Sequence, residues 1–122
     1  MILSRRSIWD NWEKIAKKYL EWKGYFFIEQ NYQIKGWEID LIMKNWDIIV
    51  FIEVKYRKNE DYWHPLDTFT ISKRKTLKRT IMMYISKNKI NLEKIQVDFI
   101  GIMPNAIWGH RIWHVKWVEL SN

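Results

Sequence analysis

Apolar residues recur at helical spacing in two stretches of the chain and at strand spacing in most of what lies between them. From Asp10 to Lys23, Trp12, Ile15, Ala16, Tyr19 and Leu20 fall at i, i+3, i+4, i+7 and i+8. That is one buried stripe of a first helix, which Gly24 closes. Tyr25 to Ile34 is rich in aromatic residues and reads as a strand ending at Lys35-Gly36. In the next segment Trp37, Ile39, Leu41 and Met43 alternate with Glu38, Asp40, Ile42 and Lys44, predicting a second strand with the two sets on opposite faces. Ile48 to Ile52 is apolar at every position, as expected of a central strand covered from both sides, and Glu53-Val54-Lys55 follows directly. The short connections predict an antiparallel meander of three strands.

Tyr56 to Thr70 is polar and irregular, with Asn59-Glu60-Asp61 and His64-Pro65. Either a loop that closes over a substrate or plain disorder fits it, with His64 at the surface. Ser72 is the expected cap of a second helix running to about Asn88, with Leu77, Ile81, Tyr84 and Ile85 as its buried stripe. Asn91 to Lys94 is a turn, and Ile95 to Ile102 a fourth strand. Because a helix separates it from the third strand, a right-handed crossover to a parallel position is expected. Pro104-Asn105-Ala106 turns the chain into a final edge strand over Arg111 to Val118. The fold class is therefore α/β, a mixed sheet in the order α-β-β-β-α-β-β with flanking helices, and 122 residues make one domain, 1–122.

Composition narrows the function. The absence of cysteine excludes thiolate metal sites, a cysteine nucleophile and disulfides. Met1 to Arg6 has two basic residues without a following apolar run, and no later run is long enough for a membrane span, so a soluble cytoplasmic protein is expected. A net charge of +7 favours a polyanionic partner. The second helix carries Lys73, Arg74, Lys75, Lys78 and Arg79 over two turns, a phosphate-binding surface as well as a solvated face.

The acids lie where strands should have none. Lys44-Asn45-Trp46-Asp47 allows a two-residue loop at Asn45-Trp46 or a four-residue loop, and both pair Asp40 with Phe51. Asp40, Glu53 and Lys55 then share one face, with Glu53 diagonal to Asp40 at a Cβ separation of about 7–8 Å. Two such carboxylates can reach one Mg²⁺, and Lys55 would sit beside its water. An unpaired Asp40 between Ile39 and Leu41 would cost several kcal/mol or lose its charge. Glu13 borders the stripe of the first helix and is open between two roles, metal ligand or partner of Asp10 in a capping box. Asp98, acidic within a core strand, is a second-tier candidate, more readily explained by a buried hydrogen bond.

The element order, with Asp40 and Glu53-Val54-Lys55 on adjacent strands, resembles the PD-(D/E)xK (restriction endonuclease-like) nuclease core of restriction enzymes and archaeal Holliday-junction resolvases. More narrowly, the chain resembles the YraN-like family of small bacterial proteins. The matching stretches are Glu13-x-x-Ala16-x-x-Tyr19-Leu20, Gly24-Tyr25, Asn31, Glu38-Ile39-Asp40-Leu41-Ile42, Val50 to Lys55 with Arg57, Lys73 with Leu77, and Val97-Asp98. Trp12 and Trp37 depart from it, standing where the family often has Gly. The superfamily resemblance implies that Asp40, Glu53 and Glu13 bind Mg²⁺ or Mn²⁺ and that Lys55 orients the attacking water. It implies a metal-dependent endonuclease acting on DNA, branched or otherwise structured, with Arg57 joining the basic helix on the backbone. The alternatives are a non-catalytic nucleic-acid-binding module of a repair or DNA-processing assembly, or a partner-binding domain with a Trp-rich surface. The expected partner is nucleic acid, DNA ahead of RNA, with no membrane; a homodimer is compatible with all three.

Overall fold

The computed structural model describes residues 5–57, 64–105, 107 and 109–120. The expected segment Asn59-Glu60-Asp61 lies outside them, as do Met1 to Ser4 and Ala106 of the last turn. Helix α1 (Arg5–Trp22) leads into β1 (Phe26–Ile34), β2 (Trp37–Asn45) and β3 (Ile48–Tyr56); α2 (Ile71–Asn88) then precedes β4 (Ile95–Asn105) and β5 (Gly109–Val115). The strands form one sheet in the order β1-β2-β3-β4-β5. β1, β2 and β3 are an antiparallel meander, β4 is parallel to β3, and β5 closes the far edge antiparallel to β4.

The two helices cover opposite faces, which is why β3 is apolar at every position from Ile48 to Ile52. Val50, Ile52 and Val54 pack beneath α1 with Ala16 and Leu20. Phe51 packs beneath α2 with Leu77, Ile81 and Tyr84. Gly24 follows α1 at φ 97°, a conformation that only glycine adopts cheaply, and the chain turns there into β1.

Several boundaries differ from those the sequence suggested. α1 begins at Arg5, so Asp10 lies inside it, and Glu13 is an interior helix residue with no part in a capping box. α2 is capped by Thr70, whose hydroxyl accepts from Lys73 N at 3.2 Å; Ser72 lies within the helix. Ahead of it Pro65–Thr68 forms a short 3₁₀ turn capped by His64, which is exposed, and Phe69 is buried against Phe99. The end of the supposed loop is therefore part of the core. β5 ends at Val115 rather than Val118, because Trp117 takes φ 57° and its N–H turns to Asp98 Oδ1 at 3.3 Å.

The register of β2 and β3 also differs. The turn has two residues, but they are Trp46 and Asp47, with Trp46 at φ 56°. Phe51 consequently faces Ile42, not Asp40. Nor does Ile39 share a face with Leu41 and Met43: Ile39 joins the core beneath α2, while Leu41 and Met43 join that beneath α1. The crossing occurs at Asp40, where the neighbouring β1 has Asn31 at φ 53° between the pairs Gln30–Leu41 and Tyr32–Ile39.

Candidate active site in the fork of the sheet

β2 and β3 pair from Asn45–Ile48 as far as Leu41–Ile52, and then part. β2 continues on β1 as far as Trp37, and β3 continues on β4 as far as Tyr56. The fork between them holds the acids. At its base Val54 N donates to Asp40 Oδ2 at 2.8 Å, so the Asp40 carboxylate lies in the seam between the strands, within reach of groups on both faces. Glu38 comes from the same arm, and buried Glu13 reaches in from α1. One carboxylate oxygen from each of Glu13, Glu38 and Asp40 lies within 4.8 Å of the other two.

Glu53 and Lys55 come from the β3 arm. Glu53 is not one of that tight triple; burial of Asp40, and then the Glu53 charge, hold Asp40 well above the usual carboxylate range. Burial also raises Glu53, to about 7, against the opposing pull of Lys73 and Lys55. Burial, and then the neighbouring Lys73 ammonium, lowers Lys55. The fork thus gathers four carboxylates, with two lysines on one side of it. Mutually repelling acids that leave their oxygens converging could serve as the donor set of a hard divalent cation.

Trp12 stacks on Tyr56 with ring centroids 3.8 Å apart, tying α1 to the end of β3 beside Lys55. Trp37 meets the Arg79 guanidinium at 5.7 Å.

The five basic residues expected to act together on α2 divide three ways. Lys73 stands close enough to Glu53 and Lys55 to act on both charges, and with Lys55 it lines the cavity beside the fork. Arg74 is a clip: its Nε donates to Phe69 O at 2.8 Å and Nη1 to Glu119 O at 3.0 Å, with the guanidinium over the Phe69 ring. Lys75, Lys78 and Arg79 line an outer groove of about 580 Å³ together with Met82 and Met83. A cavity of about 620 Å³ beside the fork is lined by Lys55, Tyr56, Arg57, Asp67, Thr68, Thr70 and Lys73.

Asp98 is fully occupied within the core. It accepts from Tyr25 Oη at 3.0 Å and from Gln96 Nε2 at 2.7 Å, and lies 2.7 Å from His114 Nε2. Tyr19 Oη in turn meets His114 Nδ1 at 3.2 Å. This network ties α1, Tyr25 just ahead of β1, and β5 to β4, and accounts for a buried acid without a metal.

Glu38 is the site residue that sequence reasoning left out. Its signal was present, since Glu38 and Asp40 are two apart on one strand, but an acid at an outward position is also what a half-exposed strand presents by default.

The fold and site define a mixed α/β domain whose central strands splay around a carboxylate cluster bordered by lysines. Comparison with known sequences places the chain in a family: residues 12–102 match the uncharacterised protein family UPF0102, and the chain belongs to it. It is 39% identical over 100 residues to the UPF0102 protein of Carboxydothermus hydrogenoformans, covering 82% of this chain and 85% of the relative. With a UPF0102 protein of Coxiella burnetii it shares 44% identity over 94 residues, 75% of this chain and 78% of the relative. With one of Vibrio vulnificus it shares 38% over 113 residues, 91% and 90% of the two chains. These names state no activity, so the chemistry has to be argued from the fork.

Proposed function

We propose that the protein is a metal-dependent endonuclease that hydrolyses phosphodiester bonds in DNA, with branched or otherwise structured DNA as its preferred form. The observation that supports this most is the fork itself: acids from α1 and both strand arms converge on one opening, and Lys55 borders it. Asp40, Glu53 and Glu13, with Glu38 beside them, would hold Mg²⁺ or Mn²⁺. When bound, such an ion supplies Lewis acidity at a phosphoryl oxygen and a more acidic water.

The remaining work falls to the chain's own groups. Lys55 positions the attacking water and steadies the charge that builds on the phosphate, a task for a compact, tunable ammonium rather than a guanidinium. Val54 N–H holds Asp40 in one orientation, so its free oxygen stays directed into the fork. Trp12 stacked on Tyr56 steadies the end of β3 next to Lys55. Among the described residues no base-reading element enters this arrangement, so selection by shape and phosphate follows.

The test is a panel of plasmid, linear, four-way-junction and single-stranded DNA, with RNA forms alongside, incubated with Mg²⁺ or EDTA. Cleavage of DNA that needs the metal and disappears in Asp40→Asn and Lys55→Met is the expected result. Salt-sensitive binding of the same DNA without any cleavage would instead leave a nucleic-acid-binding module.

A further inference from the structure

Lys73 is exposed at the start of α2, and Arg57 is half-buried just after β3. Both line the cavity of about 620 Å³ that opens beside the fork, and Lys55 belongs to both spaces. Lys55 and Lys73 line that cavity from β3 and from the start of α2, so two like charges share one space and are eased by an anion that balances them. Glu53 supplies part of that balance, but from the fork side. On the cavity side the lining adds a third cation, Arg57, against a single acid among the described residues, Asp67.

The cations ride on rigid elements. Arg57 N donates to Ile102 O at 2.9 Å, so its Cα is fixed alongside β4. Lys73 sits in the first turn of α2, where Thr70 caps its backbone N–H and the positive end of the helix dipole meets the cavity wall.

We infer that Lys73 and Arg57 form a second phosphate subsite next to the acids, which holds a further phosphate of the same nucleic-acid strand. The inference rests on the reading of the fork as a nucleic-acid site, and it assigns Lys73 to the reaction centre instead of the outer face of α2. A phosphate in this subsite balances the lysine pair and sets the strand across the fork. Binding there needs no metal.

The test is fluorescence anisotropy of a labelled single-stranded oligonucleotide in EDTA, titrated over a range of salt. Each phosphate contact on a single strand contributes about 0.7 to the slope of log affinity against log salt. Lys73→Gln and Arg57→Gln should therefore each flatten the slope by about 0.7 and weaken low-salt binding roughly 3- to 10-fold. Lys87→Gln, at the far end of α2, should change neither. Unchanged slopes in both variants would overturn the subsite even if the wild type cuts DNA. So would Lys73-dependent binding of inorganic phosphate with none of the oligonucleotide. Because no metal is present, a protein that binds in this way but never cleaves retains the subsite and loses only the hydrolase reading.

Discussion

Asp40 occupies a place that the fold makes expensive. Its carboxylate accepts one backbone N–H, from Val54, while Glu53, Glu13 and Glu38 all disfavour its charge. Asn keeps the acceptor and removes the charge. Asp40→Asn should therefore raise the melting temperature of the metal-free protein by roughly 3–6 °C, the response of a domain this size to about 1 kcal/mol. It should also remove any further rise on adding Mn²⁺. A lower melting point without metal would mean that the acids do not repel one another as described. Glu53 supplies part of the pH dependence, in the same direction as Asp40. Its folded value of about 7 lies above the ordinary 4.5, so the folded chain keeps a proton that the unfolded chain has released. The associated stability is complete below the ordinary value and is lost as pH rises through about 7. Metal-free melting points should fall between about pH 5 and pH 8, and Glu53→Gln should flatten that fall. Asp40, Glu53 and Lys55 could be picked out from sequence because acids in apolar strands demand an explanation. Their exact pairing could not, since Trp46 at positive φ is not a residue that turn preferences would place there.

The start of α2 shows how one element can hide two kinds of basic residue. Lys73 and Arg74 are adjacent in a run that is uniformly positive, yet one faces the fork and the other fastens the chain after β5. That segment is held again by Val118 N, which donates to Val97 O at 2.8 Å, and its Val118 and Leu120 pack into the core beneath α2. Arg74→Gln should cost about 1–2 kcal/mol in urea denaturation and speed amide exchange at Val118, while leaving the salt dependence of DNA binding unchanged. A flattened salt slope would return Arg74 to the nucleic-acid surface. Charge type alone could not separate these roles, because the acceptors of Arg74 are backbone carbonyls that a sequence pattern does not reveal. The stripe of Leu77, Ile81, Tyr84 and Ile85 was readable, since burial follows the helical period. The change of face at Ile39 was not. It needs β1 and β2 to turn over together at Asn31 and Asp40, which strict alternation cannot express.

Taken whole, the molecule follows from few rules: an apolar β3 demands cover on both sides, and a helix between β3 and β4 makes them parallel. Element order and sheet topology were readable for that reason. Among the described residues no helix is long and apolar enough to cross a membrane. Part of the net charge of +7 gathers in two places, with Lys55, Arg57 and Lys73 at the fork and Lys75, Lys78 and Arg79 around the groove that contains Met82 and Met83. What unites these parts is the claim that the carboxylates in the fork exist to share a divalent ion. Calorimetric titration of the full chain with Mn²⁺ near pH 7.5 examines that claim most directly, with Asp40→Asn and Glu53→Gln titrated alongside. The account predicts saturable binding to the wild type, with release of protons, and its loss in both variants; equal binding by all three proteins, or none by the wild type, would contradict it.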